Sequence, residues 1–139
     1  MTFDGLGVTI TLGIPDRRLR PNHKPFSRGG AIAKSVEVKG YRRTAYWMTR
    51  QEIGSHGPAW QRAVARATWY LGKGQKRLDE DNALATLKPA FDGMQDAGLI
   101  LNDRGLRHKS PVWFRDSENP RVEIYVVCED GEPTERKDQ

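Results

Sequence analysis

The residues most suited to chemistry lie in segment 76–103, KRLDEDNALATLKPAFDGMQDAGLILND, where aspartates stand close together in a basic chain. In an extended chain, residues two apart face the same side, so Asp79 and Asp81 would project together with Cα atoms roughly 6.5–7 Å apart. On a helix they would point apart, so a shared site requires a helix that starts after them, and Asn82 could cap it. Asp103 follows that helix, where a return of the chain could bring it beside the pair.

Three carboxylates in a basic chain indicate a metal site. Carboxylate oxygens are hard ligands that suit Mg²⁺ or Mn²⁺, which keep several waters and leave positions open for a phosphate. Such a metal activates an attacking water and stabilises charge on the phosphoryl group. On a continuous helix, Lys88 would lie two turns beyond Asp81 on the same face, about 10.5 Å away, where its ammonium group could orient the phosphate. These residues indicate metal-dependent phosphodiester hydrolysis.

The same residues also have ordinary structural interpretations. A D-x-D pair before a helix is common as an N-terminal cap that complements the helix dipole. Lys88 and Asp92 stand at i,i+4 and could form a surface ion pair, and Asp96 fits a solvated residue at a helix end. Spacing alone does not separate the catalytic interpretation from the structural one.

Length and charge narrow the class of protein. The chain has 139 residues, the size of one domain, with 23 Lys and Arg against 18 Asp and Glu. We expect residues 1–128 to form the domain, with a net charge of +8, and residues 129–139 to form a disordered acidic tail. A domain this basic favours a polyanionic partner.

Other features exclude several classes. Cys128 stands alone, so it forms no internal disulfide, and GxxxxGK[ST] is absent, which argues against a nucleotide cofactor. The chain has no apolar run of the ~20 residues that a membrane span needs, and it lacks a signal-peptide pattern. We therefore expect no membrane association and an intracellular, cytoplasmic location.

The pattern along the chain predicts an α+β fold, with a mixed β-sheet flanked by helices. Residues 59–71 fit helix and strand spacing equally, and Pro89 predicts a kink. The other predicted elements are a strand at 7–14, a basic loop at 15–34, helices at 40–53 and 83–97, and strands at 107–114 and 121–128.

Segment 76–103 contains several short motifs in an order that is typical of one protein family. A basic QKR lead-in precedes D-x-D-N at Asp79, Asp81 and Asn82; a helix with Lys88 and F-D-G-M-x-x-A-G-L-I follows, then Asn102-Asp103. This segment resembles the RusA family of Holliday-junction resolvases, and a looser similarity extends over the chain. Two departures are Asn102, where the family usually has aspartate, and a longer interval before Lys88 than in some members.

The resemblance implies a homodimeric, Mg²⁺- or Mn²⁺-dependent crossover junction endodeoxyribonuclease of phage or prophage type, acting on branched DNA in recombination and repair. Asp79, Asp81 and Asp103 would be the catalytic carboxylates that bind the metal, and Lys88 would assist near the active site. The resemblance also implies that residues 61–71 form a strand leading into the D-x-D-N turn.

Basic residues around these carboxylates could contact DNA phosphates. Phe26 could wedge or stack at a branch point, whereas we interpret His23, His56 and His108 as incidental. The candidate DNA-binding residues are Arg17, Arg18, Arg20, Lys24, Arg28, Lys73, Lys76, Arg77, Arg104, Arg107 and Lys109.

The leading hypothesis is therefore a Mg²⁺-dependent, structure-selective endonuclease that resolves four-way junctions by symmetric cuts. A two-fold dimer would present two equivalent sites to a nearly two-fold junction. Two alternatives stay open: a nuclease acting on flaps or forks, and a non-catalytic junction-binding protein.

Overall fold

The computed structural model describes residues 7–55 and 57–129; residues 130–139 of the predicted tail and His56 lie outside these ranges. Two short 3₁₀ turns, Arg17–Leu19 and Asp103–Gly105, accompany the regular elements. In chain order the helices and strands are β1 (Gly7–Leu12), α1 (Arg28–Ile53), β2 (Ala63–Leu71), α2 (Glu80–Thr86), α3 (Lys88–Asp96), β3 (Leu106–His108), β4 (Val112–Arg115) and β5 (Arg121–Cys128).

The strands form one mixed sheet in the order β1-β5-β2-β3, with β4 also paired to β2. β5 runs antiparallel to β1 and β2, while β3 and β4 run parallel to β2. The predicted α+β class with a mixed sheet flanked by helices is confirmed, as are strands near both ends of the described chain. The predicted strand 107–114 is two short strands separated at Pro111, because proline has no N–H for the ladder.

Alternation of apolar residues explains which face of the sheet is buried. Every second residue of β1, β2 and β5 points to the face that α1 and α3 cover, and the helices contribute their own buried residues to the same core. This core includes Val8, Ile10, Ala65, Trp69, Val122, Ile124, Val126, Leu87, Ala90 and Met94.

Helix α1 begins earlier than the sequence predicted. Ser27 caps it, since its Oγ accepts a hydrogen bond from the backbone N–H of Gly30 at 3.1 Å. The Gly29-Gly30 pair, typical of a loop, therefore lies in the first helical turn, and the basic loop ends before Arg28 and does not extend to residue 34. Among the described residues, no helix is long and apolar enough to cross a membrane.

The helix predicted at 83–97 is two helices. Pro89 is the second residue of α3, and Leu87 separates α2 from α3. Because proline cannot donate a backbone hydrogen bond, the expected kink is a complete break. The expected cap at Asn82 is wrong: α2 begins at Glu80 and Asp79 is its N-cap.

Candidate active site

A cavity of about 380 Å³ opens beside α2 and α3. It brings together Asp81, Asp103 and Lys88, three of the four residues that the sequence singled out for catalysis. The full lining consists of Asp81, Leu84, Ala85, Lys88, Phe91, Asp92, Ile100, Asp103, Leu106 and His108.

Asp103 reaches this cavity because the chain after α3 is held against the segment that leads into β2. The backbone N–H of Trp60 donates to the Leu99 carbonyl at 2.9 Å, and the N–H of Leu101 donates to the Trp60 carbonyl at 2.9 Å. A Cβ on Gly105 would overlap the carbonyl oxygen of Gln61, so the 3₁₀ turn carrying Asp103 also lies directly against this segment. These contacts bring about the return of the chain that the spacing had suggested.

Asn102 has a structural role next to Asp103. Its side-chain Oδ1 accepts a hydrogen bond from the backbone N–H of Arg104 at 3.0 Å, which caps the 3₁₀ turn. Asparagine and aspartate cap helical turns equally well. An aspartate at position 102 could therefore cap this turn in the same way.

Asp79 does not line the cavity, and it differs from Asp81 in its surroundings. Its Oδ1 accepts from the backbone N–H of Asn82 at 2.9 Å and its Oδ2 from the side-chain Nδ2 of Asn82 at 3.0 Å. The expectation that Asp79 and Asp81 project together from an extended chain is wrong, because the helix starts between them. Metal binding by Asp79 stays a prediction.

Asp92 is a cavity residue that the sequence analysis assigned only to a surface pair. Its Oδ1 accepts a hydrogen bond from Lys88 Nζ at 3.0 Å, and Arg42 Nη1 lies 3.9 Å from its Oδ2. The side chain of Lys88 is 63% exposed, against 25% for Asp92. The i,i+4 spacing signalled the ion pair, whereas the packing that turns Asp92 towards the cavity depends on residues far away in the sequence.

Asp96 was expected to be solvated, and the structure instead pairs it with α1. Arg42 donates from Nε at 2.7 Å and from Nη2 at 2.9 Å to the two carboxylate oxygens. These hydrogen bonds lower the pKa of Asp96 below its ordinary value. The pair links α1 to the end of α3 beside the site.

His108, interpreted from the sequence as incidental, also lines the cavity. Its ring packs edge-on against Phe91, with centroids 4.6 Å apart, while the residue as a whole keeps contact with solvent. Burial of the ring lowers the pKa of His108 below 6.5, because the imidazolium form loses hydration. At neutral pH the cavity therefore contains a neutral imidazole beside its carboxylates.

The carboxylates fit a weakly held, hydrated metal better than a protein-enclosed one. The described residues contain no group of three His, Cys, Asp or Glu side chains placed to hold a metal ion. Asp81 and Asp103 are exposed, and neither forms a salt bridge within the described residues. Mg²⁺ usually binds one or two carboxylates while keeping several waters and contacting substrate phosphates, a ligand set that this pair can supply.

The predicted DNA-binding residues divide into paired and unpaired cations. Arg18 contacts Asp16 at 2.9 Å, and Arg107 contacts Glu129 at 2.9 Å, so nearby carboxylates partly neutralise both. The cations that form no salt bridge within the described residues are Arg17, Arg20, Lys24, Arg28, Lys73, Lys76, Arg77, Arg104 and Lys109.

Comparisons with known proteins assign neither a family nor a function. No protein-family model matches the chain, and no curated protein matches it. Among solved structures, the periplasmic domain of Helicobacter pylori MotB is similar at 14% identity with a TM-score of 0.38, over 93% of this chain and 85% of that one. At that score the similarity carries no functional argument.

Because Asp79 caps α2, the stability of the protein should depend on the hydrogen-bond acceptor at position 79 and not on its negative charge. Asp79→Ala should lower the free energy of unfolding by about 1 kcal/mol, because the N–H of Asn82 loses its acceptor. Asp79→Asn should stay close to the unmodified protein, since asparagine is an equally good cap. Urea denaturation measures both, and equal stability of all three proteins would contradict the capping role.

The surroundings of His108 predict a pH effect on stability. The folded-state pKa is below 6.5, so as pH falls through 6.5 the unfolded chain gains a proton that the folded protein resists, and stability falls. NMR titration should give His108 a pKa below 6.5, and Phe91→Ala should raise it by exposing the ring. His108→Gln should reduce the loss of stability between pH 7 and 5; an unchanged profile would argue against this effect.

Proposed function

We propose that the protein is a Mg²⁺-dependent endonuclease that cuts branched DNA and resolves Holliday junctions as a homodimer. The observation that carries the proposal is the meeting of Asp81, Asp103 and Lys88 on one open cavity of a basic domain. We place its action in the cytoplasm of a bacterial host of a phage or prophage, on the resemblance alone.

Asp81 and Asp103 would hold the metal through their free carboxylate oxygens, and the open cavity leaves room for water and a DNA phosphate. A bound Mg²⁺ would supply Lewis-acid stabilisation of the phosphate charge and a more acidic water. Lys88 would bind a phosphate oxygen as a point charge. Its ion pair with Asp92 makes Asp92 a positioning residue, because it holds the ammonium group on the cavity side of α3.

The surface around Phe26, at the end of the basic loop, fits the branch point of a DNA substrate. Phe26 is 104% exposed and lies between two unpaired cations, Lys24 and Arg28. A fully exposed ring between cations can stack on an unstacked base while the cations contact the flanking phosphates. The branch point of a four-way junction or a fork interrupts base stacking and exposes base faces, whereas a continuous duplex keeps its bases stacked.

A non-catalytic junction-binding protein is the second candidate. The absence of a three-carboxylate metal group from the described residues, together with the capping hydrogen bonds of Asp79, favours it. It predicts that junction binding is independent of divalent metal and of Asp81.

Cleavage of a synthetic four-way junction with Mg²⁺ or with EDTA tests the proposal. The unmodified protein should make paired symmetric nicks only with metal, and Asp81→Asn and Asp103→Asn should each lower the rate by about 100-fold or more, since each loses a charge on the metal. Glu118→Gln is the matched control, because it removes an exposed carboxylate that lines neither this cavity nor a neighbouring one.

The substrate panel separates the alternatives. Linear duplex should resist cleavage. Faster cleavage of flaps or forks than of the four-way junction would indicate a flap or fork nuclease and not a junction resolvase. Tight junction binding without cleavage in Mg²⁺ or Mn²⁺ would contradict the catalytic proposal and favour the binding protein.

A further inference from the structure

A second cavity, of about 400 Å³, lies on the other flank of α2. Thr86 of α2 faces it, whereas Asp81, Leu84 and Ala85 of the same helix face the first cavity, which we call the acidic cavity. Three cations, Arg17, Arg20 and Lys76, line this second cavity, together with an apolar wall that includes Trp69, Leu71 and Leu78. We call it the basic cavity.

The charge of the basic cavity is not neutralised from within. Among the described residues, Asp16 is its one acidic lining residue, and both of its carboxylate oxygens accept hydrogen bonds from the Arg18 guanidinium, at 2.9 and 3.1 Å. That contact lowers the pKa of Asp16 to about 2. Arg17, Arg20 and Lys76 form no salt bridge within the described residues. Three unpaired cations around one cavity repel one another, and an anion bound between them would relieve that repulsion.

Hydrogen bonds fix one wall of the basic cavity. Gln75 Oε1 accepts a hydrogen bond from the backbone N–H of Gly72 at 2.6 Å, and Arg115 donates to the carbonyls of Gly72 and Gln75 at 2.6 and 3.2 Å. These bonds hold the turn that carries Lys76. Trp69, which also lines the cavity, is 2% exposed. Its indole N–H is a buried donor with no acceptor within the described residues.

We propose that the basic cavity is a phosphate-binding site, with Arg17, Arg20 and Lys76 as its ligands. Resting on the proposed function, the phosphate belongs to a DNA strand whose neighbouring nucleotides reach the acidic cavity across α2. Leu78, which lines the basic cavity, stands three residues before Asp81, which lines the acidic cavity, so the start of α2 lies between the two. A free nucleotide could supply the same phosphate group.

Binding measurements in EDTA test this site independently of cleavage. Fluorescence anisotropy would compare junction DNA affinity for the unmodified protein, the double variant Arg17→Gln/Arg20→Gln and the control Lys39→Gln/Arg43→Gln. The control removes equal charge from exposed residues of α1 that line neither cavity. Calorimetric titration with thymidine monophosphate, on the same three proteins, tests the free-nucleotide source.

We expect the Arg17/Arg20 variant to bind junction DNA about tenfold more weakly, with a smaller salt dependence of log Kd because two cation contacts to the phosphate are lost. The control should leave both quantities nearly unchanged. Loss of thymidine monophosphate binding in that variant alone, with DNA affinity unaffected, would support the same phosphate site but assign it to a free nucleotide.

Two results would overturn the inference. Equal weakening of DNA binding by both double variants would show that only total charge matters, and unchanged binding of DNA and of nucleotide would show that the cavity holds no phosphate. If the unmodified protein bound no branched DNA, the proposed function would fail, and the nucleotide titration alone would decide on the site.

Discussion

Backbone pairing between residue 60 and residues 98–101 is the constraint on which the candidate site depends. Ala59 and Trp60 donate to the carbonyls of Gly98 and Leu99 at 2.8 and 2.9 Å, and Leu101 donates back to Trp60. Gly98 adopts φ 93°, a left-handed conformation that favours glycine and lets the chain turn after α3. This return of the chain brings Asp103 to the same cavity as Asp81, which lies on α2.

The cap at the start of α2 is the second determinant of the site. Because Asp79 accepts a hydrogen bond from the N–H of Asn82, helix α2 begins at Glu80. Asp81 therefore falls in the first turn, on the side of the acidic cavity. Two aspartates close together in the sequence thus have different surroundings: the Asp79 carboxylate accepts local hydrogen bonds, and the Asp81 carboxylate has no partner within the described residues. Helix α2 consequently separates a cavity with carboxylates from a cavity with unpaired cations.

Much of the fold was predictable from local pattern. The alternation in GVTITL predicted β1, the apolar character of RVEIYVVC predicted β5, and Pro89 predicted a kink where the structure has a break between α2 and α3. Periodicity left β2 undecided, since alanines at 63, 65 and 67 fit either a strand face or a helix. The start of α1 was missed, because Gly29-Gly30 suggests a loop while the cap at Ser27 depends on one hydrogen bond.

The site was predictable only in part. Residue type singled out Asp81, Lys88 and Asp103, which line one cavity, but the spacing argument for Lys88 assumed a continuous helix that the structure divides in two. The surroundings of Asp79 depend on where the helix starts. The positions of Asp92 and His108 depend on the packing of α3 against α1 and β3, which no local pattern encodes. For the same reason, the sequence indicated a basic protein but not which cations gather around a cavity.

Metal binding by Asp81 and Asp103 is the central claim, and a Mn²⁺ titration followed by electron paramagnetic resonance tests it directly. The account predicts that the protein binds Mn²⁺, that Asp81→Asn and Asp103→Asn each weaken binding by tenfold or more, roughly the loss of one charged ligand, and that Glu118→Gln binds normally. Equal Mn²⁺ affinity in all four proteins, or no binding by the unmodified protein, would contradict it.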